Sequence, residues 1–421
     1  MAKQRFDGWS KIGVLLLALT LLAGLPGCAG LPFGATVEPV TLKFAYMENA
    51  ADYAPLANAF HKENPHITVE LVPVPLSGNS MRSLATYASQ VDAVRLPSMM
   101  IQEDVAQALL PLDTMISTDL EFPQADLFPN TLESLRLDGK QVAIPAGINP
   151  YVFFYNTERF AAAGVQPPSA NWTIEDFINT AISMNSPDKT GGVTFGYCTY
   201  PTFMDSIMFS YLFGGGILDD IYQPTMPTLN DPANVDALRW YTSLLTDFQL
   251  LPPEPLSDRA VGMFIAQGNC AFWMDTLNRG AFGRFGDVKS EPLPLPAYNA
   301  AFNVAELDAY SVIATSAHPE EAYQWISFLM QQQEASGSLV PPLRALASAA
   351  EYTARVSTGT AGVAQSIGDR TVMLGLEMYR DARLGNVIEL YTRAAEQVMI
   401  EQIDAQTALD QAQSEAEEQF R

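Results

Sequence analysis

The chain has 421 residues, with 47 Asp and Glu against 23 Lys and Arg, for a formal net charge of -24. That length predicts two or three domains, and hydrophobic residues at 48% against charged residues at 17% exclude a disordered acidic polymer. The acid excess argues against nucleic acid, whose phosphates demand a cationic surface, and three histidines with three cysteines leave little for metal or nucleophilic chemistry.

The chain opens with Lys3, Arg5 and Lys11 and then runs apolar from Ile12 to Leu25. That run is too short for a spanning helix, which needs ~20 residues, and has the length of a signal-peptide core. It breaks at Leu25-Pro26-Gly27-Cys28, which resembles the lipobox of bacterial lipoproteins, where the Cys is lipidated and becomes the first mature residue. A plain secretory signal or an uncleaved anchor is the alternative. Cleavage after residue 27 would delete three cations and one acid, taking the formal charge from -24 to -26. Residues 28–39 then read as lipidated Cys28 and a small, flexible tether. No later run reaches ~18 apolar residues, so the body is expected outside the cytoplasm, held at the membrane by lipid.

From residue 40 strands and helices alternate. Val40–Tyr46 predicts a strand, and Tyr53–Asn64 a helix with Leu56, Ala59 and Phe60 on one face, ended by Pro65. Ile67–Val72 alternates as a second strand, Met81–Ser89 reads as a helix, and Ala93–Leu96 as a third strand. Val142–Ile144 and Tyr151–Tyr155 are further strands, and Glu158–Ala163 is a short helix stopped by Gly164. Thr173 with Asp176 three residues on marks a capped helix start. Pro319–Met330 is a helix with Ala322, Trp325, Ile326 and Leu329 on one face, and Asn386–Gln419 is one long amphipathic helical stretch. Repeated βα units predict an α/β fold, a mostly parallel sheet with helices on both faces.

Several segments, in order, carry a family likeness. Phe60-His61-Lys62-Glu63-Asn64-Pro65 precedes Ile67-Thr68-Val69; then come Leu110-Pro111-Leu112-Asp113 and Asp138-Gly139-Lys140-Gln141-Val142-Ala143-Ile144-Pro145. Tyr155-Asn156-Thr157-Glu158-Arg159-Phe160 with Ala163-Gly164-Val165, Pro167-Pro168 with the Trp172 helix, Gly214-Gly215-Gly216, Phe264–Phe272 and Leu293-Pro294-Leu295-Pro296 follow. This series resembles the extracellular solute-binding proteins of ABC importers, in particular the maltose-type sugar binders, over nearly the whole mature chain. The resemblance implies a two-lobed periplasmic-binding-protein fold whose lobes are joined by crossing strands near Ile144–Tyr151, near Pro296–Tyr310 and just after Met330. It places residues 40–147 with 297–331 in lobe 1, and 148–296 with 332–421 in lobe 2. It also implies a monomer that closes on a small solute in the cleft and delivers it to an ABC permease, without cofactor, metal or catalytic residue.

A neutral sugar offers hydroxyls and flat C–H faces, so carboxylates or amides beside aromatic rings are the groups to look for. Tyr46, Glu48 and Asn49 follow the first strand, where the family faces its cleft; a solvated turn is the alternative. Asp92 and Arg95 flank the third strand, where the family often reads Pro-Asp-Val and this chain has Gln90-Val91-Asp92; a surface ion pair is the alternative. Asn149 and Tyr151 sit at the first crossing, against a tyrosine that merely packs the linker. In the second lobe, Thr202, Phe203 and Asp205 precede a helix, and Trp273, Asp275 and Asn278 follow the Gly268 turn, where the family's Gly-Pro-Trp is missing. Trp273 is equally placed for the core. Asp308 and Tyr310 lie at the second crossing, and Tyr391 falls in the helical region where maltose-type relatives present an aromatic ring.

Cys198 and Cys270 lie on predicted strands of one lobe and either bridge or remain two buried thiols. His61, His66 and His318 read as structural. The leading expectation is a lipid-anchored receptor for a mono- or oligosaccharide. An extracytoplasmic glycosidase is a second, although chance supplies many carboxylate pairs in so acidic a chain. A signalling adaptor with the same lobes is a third, and a polyamine replaces the sugar as the ligand-level alternative.

Overall fold

The computed structural model describes residues 38–47, 50–74, 90–101, 103–185, 194–200, 202–252, 258–279 and 286–421. The expected signal, Cys28 and most of its tether, Glu48, Asn49 and the Met81–Ser89 helix lie outside the described residues. Pro39–Arg421 packs as one unit.

Its centre is a nine-stranded sheet in the order β2-β1-β3-β10-β6-β8-β7, with β11 beside β10 and β9 beside β6. These strands are β1 (Val40–Met47), β2 (Ile67–Val74), β3 (Ala93–Pro97), β6 (Ile144–Asn156), β7 (Phe195–Cys198), β8 (Cys270–Thr276), β9 (Ser290–Leu293), β10 (Asn303–Val312) and β11 (Thr371–Met373). A separate hairpin pairs β4 (Arg136–Leu137) with β5 (Lys140–Gln141). Pairings among the βα units are parallel, as the pattern predicts: β1 with β2 and β3, and β7 with β8. The antiparallel pairings of the large sheet are made by the two long strands, β6 and β10.

The sequence predicts two strands, one at 142–144 and one at 151–155; the structure has a single strand, β6, from Ile144 to Asn156. Proline and glycine do not break it because of where they fall. Ile144–Pro150 pairs with β10, and from Tyr151 the strand pairs with β8 and β9 instead. Pro150, which has no N–H to give a ladder, sits at that changeover, where its loss costs least. One strand therefore serves both halves of the sheet.

Local signals set most boundaries. Asn156 accepts the Arg159 N–H at 3.0 Å to start the helix Thr157–Ala163, and Gly164 ends it at φ +69°. Thr173 and Asp176 form a reciprocal capping box for Ile174–Met184. The long C-terminal stretch is two helices, Ala382–Ile400 and Ala405–Glu417. Gln402 turns the chain at φ +58°, and Asp404 then caps the second helix by accepting the Thr407 N–H at 3.2 Å. Asx capping competes with helix continuation and wins here.

One apolar cluster packs β1, β2 and the helices Ala54–Glu63 and Pro319–Met330 around Phe44, Phe60 and Trp325. Another gathers Ile174–Met184, Met204–Leu212, Pro232–Thr246 and the C-terminal helices around Phe153, Phe177 and Phe272. A third lies between them on β3, β6, β8 and β10.

Cys198 and Cys270 form a disulfide that ties β7 to β8 across 72 residues of sequence. Closing so long a loop in the unfolded chain predicts that reduction, or Cys198→Ser, costs about 2–4 kcal/mol. Denaturant unfolding with and without reductant checks the size; an unchanged midpoint together with two titratable thiols before reduction would exclude the bridge.

Candidate functional site

Strand direction decides where a solute can sit. β1 and β3 point their carboxyl ends the same way, and Pro97 at the end of β3 aligns through Asp308 with Gly147 on β6. β8 runs against β6, so its carboxyl end, Thr276, lies opposite Tyr151. The carboxyl ends of both halves thus converge on the middle of β6, where open α/β sheets bind ligands.

Polar and aromatic groups collect there. Asn149 stands opposite Glu306 of β10 and donates to its Oε2 at 3.0 Å. Its Oδ1 accepts the Asn278 N–H at 3.0 Å, which carries the link on to the turn after β8. Tyr200, after β7, donates to Asp275 Oδ2 at 3.4 Å. The short helix Leu376–Arg380 supplies Tyr379, a residue 40% exposed. Burial raises the Tyr379 phenol above its ordinary value and the nearby Glu306 carboxylate raises it further, while the Ser98 hydroxyl opposes them. Tyr151 acts on the same phenol, so Ser98, Tyr151, Glu306 and Tyr379 share one locality. The result is an acceptor carboxylate and an amide beside two phenol rings.

Apart from Asp275, the other residues singled out by sequence fall elsewhere. Tyr46 is half-buried at the end of β1, stacked on Phe44 at 5.7 Å and edge-on to Tyr53 at 4.7 Å. Asp92 stands at the opposite, amino end of β3, accepting the Lys43 N–H at 2.8 Å and the Ser316 hydroxyl at 2.6 Å. It ties the strand ends together and is removed from the convergence point. Thr202 is exposed beside Phe203, which is buried and holds φ +50° at the start of Met204–Leu212. Trp273 is fully buried and stacked on Phe154 at 5.8 Å. Tyr391 is also fully buried, its hydroxyl bonded to that of Ser210, so it packs the second core instead of facing solute. Asp275 is half-buried and borders the converging ends.

Asp308 and Tyr310 belong to a sealed network. Arg95, 2% exposed, donates through Nε to Asp308 Oδ2 at 3.0 Å and through a terminal nitrogen to the Tyr53 hydroxyl at 2.7 Å. It also donates to the Ala335 and Ser336 carbonyls at 2.7 and 3.2 Å, and the Tyr53 and Tyr310 hydroxyls meet at 3.2 Å. Burial alone would lower the Arg95 guanidinium, but the facing Tyr53 and Asp308 hold it above its ordinary value. The predicted surface alternative for Arg95 therefore becomes a buried pair with Asp308. Asp205 is a second sealed carboxylate, accepting the Tyr197, Thr199 and Tyr241 hydroxyls at 2.5, 2.8 and 2.8 Å.

Glu306 and Tyr379 were not singled out from sequence. Glu306 had a usable signal, because Glu306, Asp308 and Tyr310 repeat at period two on one face of a crossing strand. Tyr379 had none, since Gly375-Leu376-Glu377-Met378-Tyr379-Arg380 reads as an ordinary amphipathic turn.

Residues 45–335 match the model of the bacterial extracellular solute-binding protein family, and the chain belongs to that family. An ABC substrate-binding protein of Listeria monocytogenes in complex with cycloalternan is 19% identical, with a TM-score of 0.68 over 91% of this chain and 99% of that one. A cyclic alpha-maltosyl-1,6-maltose binding protein of Arthrobacter globiformis is 17% identical, with a TM-score of 0.69 over 91% and 99%. UgpB of Mycobacterium tuberculosis, in complex with glycerophosphocholine, is 14% identical, with a TM-score of 0.65 over 90% and 98%. At these identities the likeness is one of fold, the two-lobed periplasmic-binding-protein fold. The family is one of binding proteins that work outside the cytoplasm. Among the described residues no helix is long and apolar enough to cross a membrane.

The sealed networks carry two stability predictions. Asp308→Ala strands the buried Arg95 charge and is expected to cost about 3–5 kcal/mol in denaturant unfolding; a loss below about 1 kcal/mol would mean that water reaches Arg95. For Asp205, burial raises the carboxyl despite its three donors, so the folded state keeps a proton that the unfolded chain has released above about pH 3.9. Its contribution to stability is full below that pH and falls as pH rises through the folded value. Unfolding at pH 4 and pH 7 should show Asp205→Asn gaining on the wild type as pH rises, and a pH-independent difference would contradict the assignment.

Proposed function

We propose that this solute-binding protein captures a neutral mono- or oligosaccharide between its two lobes and hands it to an ABC permease. The observation that carries the reading is the convergence of Asn149, Tyr151, Glu306 and Tyr379 where β6 changes partners. A carboxylate and an amide accept and donate to sugar hydroxyls, and phenol rings lie against the C–H faces of the ring. Two of the similar structures hold or are named for saccharides, which supports the same class. The lobes follow the crossings, residues 40–147 with 297–331 and residues 148–296 with 332–421. On closure the two lobes fold over Glu306, Asn149, Asp275, Asn278 and Tyr379 and the solute beside them, and water leaves as the cleft shuts. We assign the amino-terminal segment to export and Cys28 to lipid attachment, which keeps the receptor beside its permease.

A cationic solute is the second reading. Glu306 and Asp275 with Tyr151, Tyr200 and Tyr379 also suit an ammonium group, by charge and by cation–π attraction. The glycerophosphocholine complex among the similar structures gives that reading a precedent of fold.

Thermal-shift titration against maltose-series oligosaccharides, glycerophosphocholine and spermidine separates the two, since saturating ligand raises stability by several kcal/mol at about 1,000 times Kd. A shift with oligosaccharides alone supports the sugar; a shift only with spermidine or glycerophosphocholine sinks it. Glu306→Gln and Tyr379→Ala should each weaken the bound solute at least about tenfold while leaving the solute-free midpoint within about 2 °C. Calorimetric affinities unchanged in both variants would move the site away from the middle of β6.

A further inference from the structure

The segment from Met373 to Asp381 reaches from one lobe to the other. Beyond it, Asp381 accepts the Arg383 N–H at 2.9 Å and caps the helix Ala382–Ile400, whose apolar face is buried in the core of lobe 2. Before that cap, Met373 donates its N–H to the Tyr222 hydroxyl at 3.1 Å and Met378 packs into the same lobe 2 core, while the other contacts of the segment reach lobe 1. Ser134 donates through Oγ to the Met373 carbonyl at 3.2 Å, and Gly375 packs so closely on Ser134 that a Cβ would stand 2.7 Å from its carbonyl oxygen. The β4–β5 turn then makes two polar contacts. Asp138, at φ +50°, donates its N–H to Glu377 Oε1 at 2.6 Å, and its carboxylate meets Arg380 at 3.2 Å. A cavity of about 590 Å3 flanks these contacts, lined by Asp138 on one side and by Tyr222, Thr225 and Arg383 on the other. Tyr379 sits between the two contact residues in sequence and faces Ser98 and Glu306.

We infer that residues 373–381 are a strap across the cleft, and that its ion pair and hydrogen bond with Asp138 hold the solute-free protein toward closure. The inference rests on the proposed lobes and their closure. Opening the cleft while Asp381 stays anchored to lobe 2 must part Glu377 and Arg380 from Asp138. The Asp138 side chain is 75% exposed and that of Arg380 31%, so the ion pair is weak and reversible. A latch of that strength tunes the open and closed populations without locking them. It also delivers Tyr379, so shutting the latch and presenting the ring to a solute are one movement.

The test measures the interlobe distance in the absence of solute, by pulsed electron resonance between spin labels at Glu121→Cys and Asp236→Cys, both exposed. Arg380→Gln should raise the open population about two- to fivefold at 50 mM salt, the range set by an exposed ion pair. Salt at 0.5 M should do the same to the wild type and add little to Arg380→Gln. Arg383→Gln is the control, because Arg383 pairs with Asp381 inside the strap and should leave the distances unchanged. Identical distance distributions for wild type, Arg380→Gln and high salt would overturn the latch, as would an equal response from Arg383→Gln. A salt-dependent distance with no oligosaccharide response in thermal shift would uphold the latch and sink the sugar reading.

Discussion

The structure depends on one strand having two sets of partners. Ile144–Pro150 is held by β10 and Tyr151–Asn156 by β8 and β9, so a single extended segment is part of both halves. A strand that changes partners must leave one set of ladder bonds before taking up the next. Pro150 occupies that position and makes the break free of an orphaned N–H. Because β8 runs against β6 while β3 runs with it, the carboxyl ends of both halves meet at the changeover. The candidate site follows from strand direction, before any side chain is considered.

The rims of the site are stiffened from below. Arg95, Asp308, Tyr53 and Tyr310 bind β3, β10 and the Ala335–Ser336 backbone into one unit. Asp205 with Tyr197, Thr199 and Tyr241 does the same for the turn after β7, where Phe203 is held at positive φ. Buried charges are costly unless paired and hydrogen-bonded; Arg95 bonds to Asp308, Tyr53 and two backbone carbonyls, and Asp308 takes both of its bonds from Arg95. Such networks add little net stability over an apolar core. What they add is geometry, since their directional bonds fix which way each strand end points.

Much of the fold was legible in the sequence, because its signals are local. Alternation, the Thr173–Asp176 box and the Gly164 stop each specify backbone conformation within a few residues. The failures came where a local signal met a non-local constraint. Gly147 and Pro150 read as a break in β6, yet pairing with β10 on one side and β8 on the other carries the strand through. The C-terminal stretch reads as one amphipathic run, yet Gln402 and Asp404 fold it into two helices against the same core. The site was less legible. Asn149, Tyr151 and Asp275 come to the convergence point, whereas Trp273 and Tyr391 fill cores and Asp92 ties the far strand ends. Aromatic rings in an α/β protein mostly pack, and sequence does not say which of two faces a strand buries when both are covered.

A receptor has to be rigid where it is built and unfinished where it binds. In the sealed networks Arg95 bonds to Asp308, Tyr53 and two carbonyls, and Asp205 accepts three hydroxyls, so these groups are committed within the fold. The convergence point is different. Glu306 accepts from Asn149 at 3.0 Å, Asp275 accepts the Thr276 N–H at 2.8 Å and the Tyr200 hydroxyl at 3.4 Å, and Tyr379 keeps 40% of its surface. On the proposed reading, a carboxylate or phenol at a half-exposed position exchanges water for solute hydroxyls at little net loss. In the proposed mode, the gain on binding comes from apolar ring faces and from contacts made to both lobes at once, which only a closed cleft can offer. Affinity in such a design is set as much by how easily the lobes approach as by the groups that touch the solute.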